Sequence, residues 1–107
     1  IDAHDFERLL KAPVLSQIAI EEVTAEHQLI DVRLPGEFAR GHVSGAIGLP
    51  LAQLRELAVQ LDPRRPCAVY CDSGRRSASA TYLLCERGFD ARLVAGGVPA
   101  ELMTEST

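Results

Sequence analysis

A cysteine at the end of an apolar run, with two arginines four and five residues later, is an arrangement for making or holding something negative. The run is Ala68 to Ser77, "AVYCDSGRRS", in which Cys71 closes the apolar part and Asp72, Ser73, Gly74, Arg75 and Arg76 follow. Suppose a strand delivers Cys71 to a turn and a helix opens near Ser77. Gly74 then lets the turn adopt conformations that other residues resist. Successive N–H groups of a tight turn form a nest for an anion. The helix start adds unpaired N–H groups and the positive end of its dipole, and Arg75 and Arg76 add full charges. All of these favour thiolate over thiol, which predicts a Cys71 pKa below the ~8.5 of a free cysteine; Asp72 works against it. A thiolate in such a cradle is a nucleophile.

The bland alternative for a cysteine at a strand end is a small buried hydrophobe. Cys67 and Cys85 fit that role. Cys67 lies four residues before Cys71 on the same strand, roughly 13 Å away at strand rise, too far for a disulfide. Cys85 falls on the apolar side of the following helix. The three cysteines and His4, His27 and His42 show no ligand-pair spacing, so neither a metal nor another cofactor is expected.

Elements that position this turn can be read from period and punctuation. "DAHDFERLLK" (Asp2 to Lys11) has Asp2 as N-cap and Phe6, Leu9 and Leu10 on one face, a short helix stopped by Pro13. A short strand is expected from Gln17 to Ile20 and a helical turn or two from Glu21 to Glu26. "QLIDV" (Gln28 to Val32), "AIGLP" (Ala46 to Pro50), "CAVYC" (Cys67 to Cys71) and "ARLVAGG" (Ala91 to Gly97) read as further strands, the last ending in a turn. Pro35 and Gly36 mark a turn before a brief helix. Leucines at 51, 54, 57 and 61 predict an amphipathic helix over Leu51 to Leu61. Ser77 to Arg87 predicts another, with Ala78, Thr81, Tyr82 and Cys85 on one side and Gly88 as its C′ residue. Strands alternating with helices give a mostly parallel sheet with helices on both faces. Ligands of such sheets sit at the carboxyl ends of strands, where Cys71 stands.

The chain has 107 residues, the size of one domain with a single core. A formal net charge of -4 argues against a nucleic-acid binder and a membrane-surface protein. No run approaches the ~20 apolar residues of a membrane span. An odd count of three cysteines argues against a secreted disulfide scaffold and for a reducing, cytoplasmic setting.

Two segments resemble the rhodanese-like domains, sulfurtransferases and sulfane-sulfur carriers. "LIDVRLPGEFARGHVSGAIGLP" is similar to the family's first signature, and "VYCDSGRRSASATYLLCERGFDARLVAGG" to its active-site loop, helix and Gly-Gly turn. The resemblance implies an α/β fold with a central, mostly parallel five-stranded sheet flanked by helices. It implies that Cys71 takes a sulfur atom from a donor such as thiosulfate as a persulfide. Cys71 then passes that sulfur to an acceptor such as cyanide or a thiol. The amides of Asp72 to Arg76 would hold the persulfide, and Arg75 and Arg76 would attract an anionic donor. Asp31 and Arg33 would brace loops through an ion pair involving Glu37, with His42 as a loop hydrogen-bonder. Two departures stand out. Gly48 occupies a position that is often asparagine in the family, and Val98 stands where an aromatic usually follows the Gly-Gly turn. The second implies a short cover over the site.

The resemblance places the domain at residues 17–107. Residues 1–16 resemble the linker that joins a regulatory module, such as a cyclic-nucleotide-binding one, to a C-terminal rhodanese-like domain. An upstream regulatory domain in a longer parent chain is therefore expected. Two other readings stay open. A regulatory module could form the persulfide and sense it without turnover. A phosphatase or arsenate reductase shares the fold, but its cysteine and arginine are separated by five residues; here the gaps are three, to Arg75, and four, to Arg76.

Overall fold

The computed structural model describes residues 15–71, 75–96, 98 and 102–104. The helix expected over Asp2–Lys11 and the loop residues Asp72, Ser73 and Gly74 lie outside them. Five strands form the main sheet: β1 (Gln17–Ile18), β2 (Gln28–Asp31), β4 (Ile47–Gly48), β5 (Cys67–Tyr70) and β6 (Ala91–Val94). Their order is β1-β6-β5-β2-β4, and every pairing is parallel. Two further strands, β3 (His42–Val43) and β7 (Met103–Thr104), pair antiparallel in a small second sheet.

The central strands are buried on both faces, which is why they read as unbroken apolar runs instead of alternating ones. Along β5, Cys67 and Val69 point into one core and Ala68 and Tyr70 into the other. The first core joins these residues to Ile30, Leu54, Ala58, Ala80 and Leu84. It is roofed by helices α2 (Leu54–Leu57) and α3 (Arg75–Glu86). The second core holds Ile18, Leu29, Ala68, Tyr70 and Val94. The 3₁₀ turn Ile20–Glu22, with Ile20 partly buried, and the small sheet, through Val43 and Met103, pack against it.

Helix α1 (Pro35–Arg40) begins with Pro35, where a missing N–H costs nothing. Its third residue, Glu37, accepts the Leu34 N–H at 3.1 Å. Gly88, just past the end of helix α3, has a φ of 92° that favours glycine. There the Phe89 N–H reaches back to the Leu84 carbonyl and the Gly88 N–H to that of Cys85.

Two expectations need correction. The run Leu51–Leu61 is not one helix. It is a 3₁₀ turn (Leu51–Gln53), one α-helical turn (α2) and a second 3₁₀ turn (Ala58–Gln60). Leucines three apart suit a 3₁₀ turn as well as an α-helix, and the Leu51 N–H is taken by the Val32 carbonyl. The buried face of α3 is Ser77, Ala80, Thr81 and Leu84, not the side bearing Ala78, Tyr82 and Cys85. Cys85 is exposed, and its thiol faces the Ala91 carbonyl at 3.4 Å. No helix among the described residues is long and apolar enough to cross a membrane.

Candidate active site

β5 ends at Tyr70, and Cys71 follows directly, only 1 % exposed. α3 starts four residues later, and its third residue turns back onto the sulfur. The Ser77 N–H donates to Cys71 Sγ at 3.3 Å. The Ser77 hydroxyl is also 3.3 Å from Sγ and accepts the S–H proton. If the thiol ionises, that hydroxyl can turn and donate instead, since a hydroxyl both donates and accepts. Ser77 is fixed in turn by its place in the core and by Thr81, whose hydroxyl donates to the Ser77 carbonyl at 2.7 Å. The first turn of the helix thus presents an N–H donor and a hydroxyl of either role to the sulfur.

The other buried sulfur is in the opposite situation. Burial pushes the Cys67 thiol up to about 11, and Asp90 adds to the effect. The Gln28 amide donates Nε2–H to it at 3.6 Å, and the thiol faces the Arg65 carbonyl at 3.9 Å. Cys67 is therefore an inert core residue at neutral pH.

Two acid–arginine pairs stand at the ends of the neighbouring elements. Asp31 closes β2 beside Tyr70 and is fully buried. Arg33 grips it with Nε at 3.0 Å and Nη2 at 2.8 Å, and the Arg33 N–H adds a third bond at 2.9 Å. The same guanidinium donates to the Gly41 carbonyl at the end of α1. Hydrogen bonding to Asp31 raises the Arg33 pKa further. Glu37 is not part of this pair. Its partner is Arg76, in the first turn of α3, with Nη1–Oε1 at 2.7 Å and Nη2–Oε2 at 3.3 Å. The Arg76 fork, helped by the Leu34 N–H, lowers the Glu37 carboxyl to about 2.

Arg75 is exposed at the start of α3. His42 shares a hydrogen bond of 2.9 Å between Nδ1 and the Phe38 carbonyl. Its ring stacks on that of Phe38, with centroids 3.8 Å apart. Gly48 lies against the same phenyl ring, so close that a Cβ there would stand 3.2 Å from it. The structure thus brings Cys71, Ser77, Arg76 and Glu37 into one chain of contacts. Asp31 and Arg33 form a separate pair at the end of the next strand.

Two contributors escaped the sequence reading. Ser77 was visible only as a helix start, although a serine six residues after the cysteine is the signal that would have found it. Tyr70 was read as a strand residue; its buried hydroxyl accepts the Val43 N–H at 3.0 Å and ties β3 to the main sheet. Among the described residues no group of His, Cys, Asp and Glu is arranged to hold a metal ion.

A parallel five-stranded sheet that delivers a cysteine to the turn before a helix defines a class of α/β domain. The chain belongs to the rhodanese-like domain family, whose model matches residues 15–101. Among its relatives is the thiosulfate sulfurtransferase PspE of Escherichia coli, 40% identical over 76 residues that cover 69% of this chain and 72% of PspE. The thiosulfate sulfurtransferase GlpE of Shewanella oneidensis is 40% identical over 63 residues, covering 59% of this chain and 62% of GlpE. A rhodanese-related protein from Thermoplasma volcanium superimposes with a TM-score of 0.73 at 31% identity, covering 79% of this chain and 88% of that one.

Proposed function

We propose that this rhodanese-type sulfurtransferase uses Cys71 to take sulfur from thiosulfate and hand it to cyanide or a thiol. The observation that carries the reading is the sulfur at the carboxyl end of a central strand, where it accepts the Ser77 N–H at 3.3 Å and meets the Ser77 hydroxyl at the same distance. In the first step the Cys71 thiolate attacks the outer sulfur of thiosulfate. A new S–S bond forms, the old one breaks, and its electron pair leaves with sulfite. In the second step cyanide attacks the terminal sulfur of the persulfide, thiocyanate departs and the thiolate returns. No proton need move in either step once the thiolate exists. The charge balances in each, so a general base has no part to play.

Other residues take supporting roles in this proposal. The amides of Asp72, Ser73, Gly74, Arg75 and Arg76 hold the terminal sulfur, and Arg75 and Arg76 draw the anionic donor. Asp31 and Arg33 brace the end of β2 against α1. Glu37 and His42 fix the two ends of α1. Three cysteines, all free thiols, favour a reducing compartment such as the cytoplasm. The test is thiocyanate release from thiosulfate and cyanide, with the mass of Cys71 followed after donor alone. Turnover and a gain of one sulfur atom, both absent in Cys71→Ser, are the expected result. Turnover that survives Cys71→Ser would sink the assignment. A sulfur gain with negligible turnover would favour a persulfide-sensing module.

A further inference from the structure

The two cations after Cys71 differ in a way their adjacency in sequence hides. Arg75 is exposed at the helix start, and among the described residues it makes no ion pair. Arg76 is held by Glu37 through both guanidinium nitrogens of its fork. A bidentate pair of this kind is stronger and more directional than a single contact. Both side chains remain partly exposed, 29% and 26%, so their charges are in reach of a solute. Glu37 also lines an open cleft of about 340 Å3, along with Arg33, Arg40, Gly41 and Met103. A dianion drawn to Arg76 therefore approaches a cation already paired with a carboxylate at 2.7 Å.

We propose that Glu37 is a specificity-determining residue that offsets the charge of Arg76 and so weakens selection for dianionic sulfur donors. The proposal rests on the sulfurtransferase reading. With Glu37 ionised, the pair offsets much of the Arg76 charge, and most of the pull on a dianion falls to Arg75 and the helix start. Glu37 touches neither the sulfur nor the donor; it acts through Arg76. A loop with both arginines available would favour thiosulfate over monoanionic or neutral donors. With one of them offset, the site tolerates donors of lower charge.

The experiment compares thiosulfate, a dianion, with methanethiosulfonate, a monoanion that also yields its outer sulfur, in wild type, Glu37→Gln and Glu37→Asp. Glu37→Gln is expected to lower the KM for thiosulfate about three- to tenfold, the range for one added charge-assisted contact at a partly exposed site. It should lower that for methanethiosulfonate less. Glu37→Asp keeps the charge and should stay near wild type for both. Equal loss on both donors in Glu37→Gln would mean that the pair only props the helix, and the proposal falls. A second readout needs no turnover: protection of Cys71 from alkylation by sulfate. Sulfate should protect Glu37→Gln at about three- to tenfold lower concentration than wild type, and unchanged protection overturns the inference. Absence of thiocyanate from wild type with either donor would sink the sulfurtransferase reading, while the sulfate arm would still decide the role of Glu37.

Discussion

Ser77 meets the Cys71 sulfur through both its N–H and its hydroxyl, and that makes it a sharp test at the residue scale. Ser77→Ala keeps the backbone N–H at 3.3 Å and deletes the hydroxyl at the same distance. One hydrogen bond to a charged sulfur is worth enough that alkylation of Cys71 by iodoacetamide at neutral pH should slow about three- to tenfold. An unchanged rate would show that the hydroxyl serves only the thiol form. Glu37 offers a pH test with a definite sign. Its folded carboxyl is lowered from 4.5 to about 2. The pair with Arg76 therefore stabilises fully above the unfolded value and is lost as pH falls toward 2. The melting temperature of wild type should exceed that of Glu37→Gln at pH 7, and the gap should close between pH 4.5 and 2. The cysteine and its two arginines were legible in the sequence because composition at a strand end is a local signal. The split between Arg75 and Arg76 was not, since Glu37 lies thirty-nine residues before Arg76 and no local pattern links them.

At the scale of elements, α1 and β4 meet through one aromatic ring. Phe38 stacks on His42 and lies so close to Gly48 that a Cβ there would stand 3.2 Å from the ring, so the glycine is there for close approach and not for an unusual φ. Gly48→Asn should destabilise by about 1–3 kcal/mol as an overpacked contact. For a domain of this size, each kcal/mol lowers the melting temperature by roughly 4–8 °C. Combining it with Phe38→Leu should recover part of the loss; full additivity of the two would argue against the contact. The strands β2, β5 and β6 and the glycine end of α3 were readable, because buried parallel strands and C′ glycines leave marks in a few residues. The face of α3 was misread: of the four residues expected on it, only Thr81 lies on the buried side. Its buried side carries Ser77 and Thr81, small polar residues that a hydrophobicity pattern passes over and that hydrogen bonds make welcome. The leucine run from 51 to 61 misled for the complementary reason: its spacing was apolar and regular, but three is the 3₁₀ period.

Across the whole molecule, Tyr70 joins the two sheets. Its side chain is buried, its hydroxyl takes the Val43 N–H, and Val43 pairs with Met103. Tyr70→Phe should cost about 1–3 kcal/mol by leaving that N–H without its side-chain acceptor, seen as a lower urea midpoint with an unchanged slope. A variant as stable as wild type would show that water or a shifted β3 replaces the hydroxyl. The parallel sheet was legible because alternating strands and helices permit few topologies. The small sheet was not: two residues on each side carry no period, and their pairing joins positions sixty residues apart. One further consequence lies in Cys67, buried at 0% exposure between β2 and β6 with a thiol raised to about 11. In a protein carrying Cys71→Ser and Cys85→Ser, a labelling reagent can reach this remaining sulfur only when the central strands come apart. Under conditions where reclosing is slow, its half-life of labelling is the lifetime of the native sheet, a clock already built into the middle of the domain.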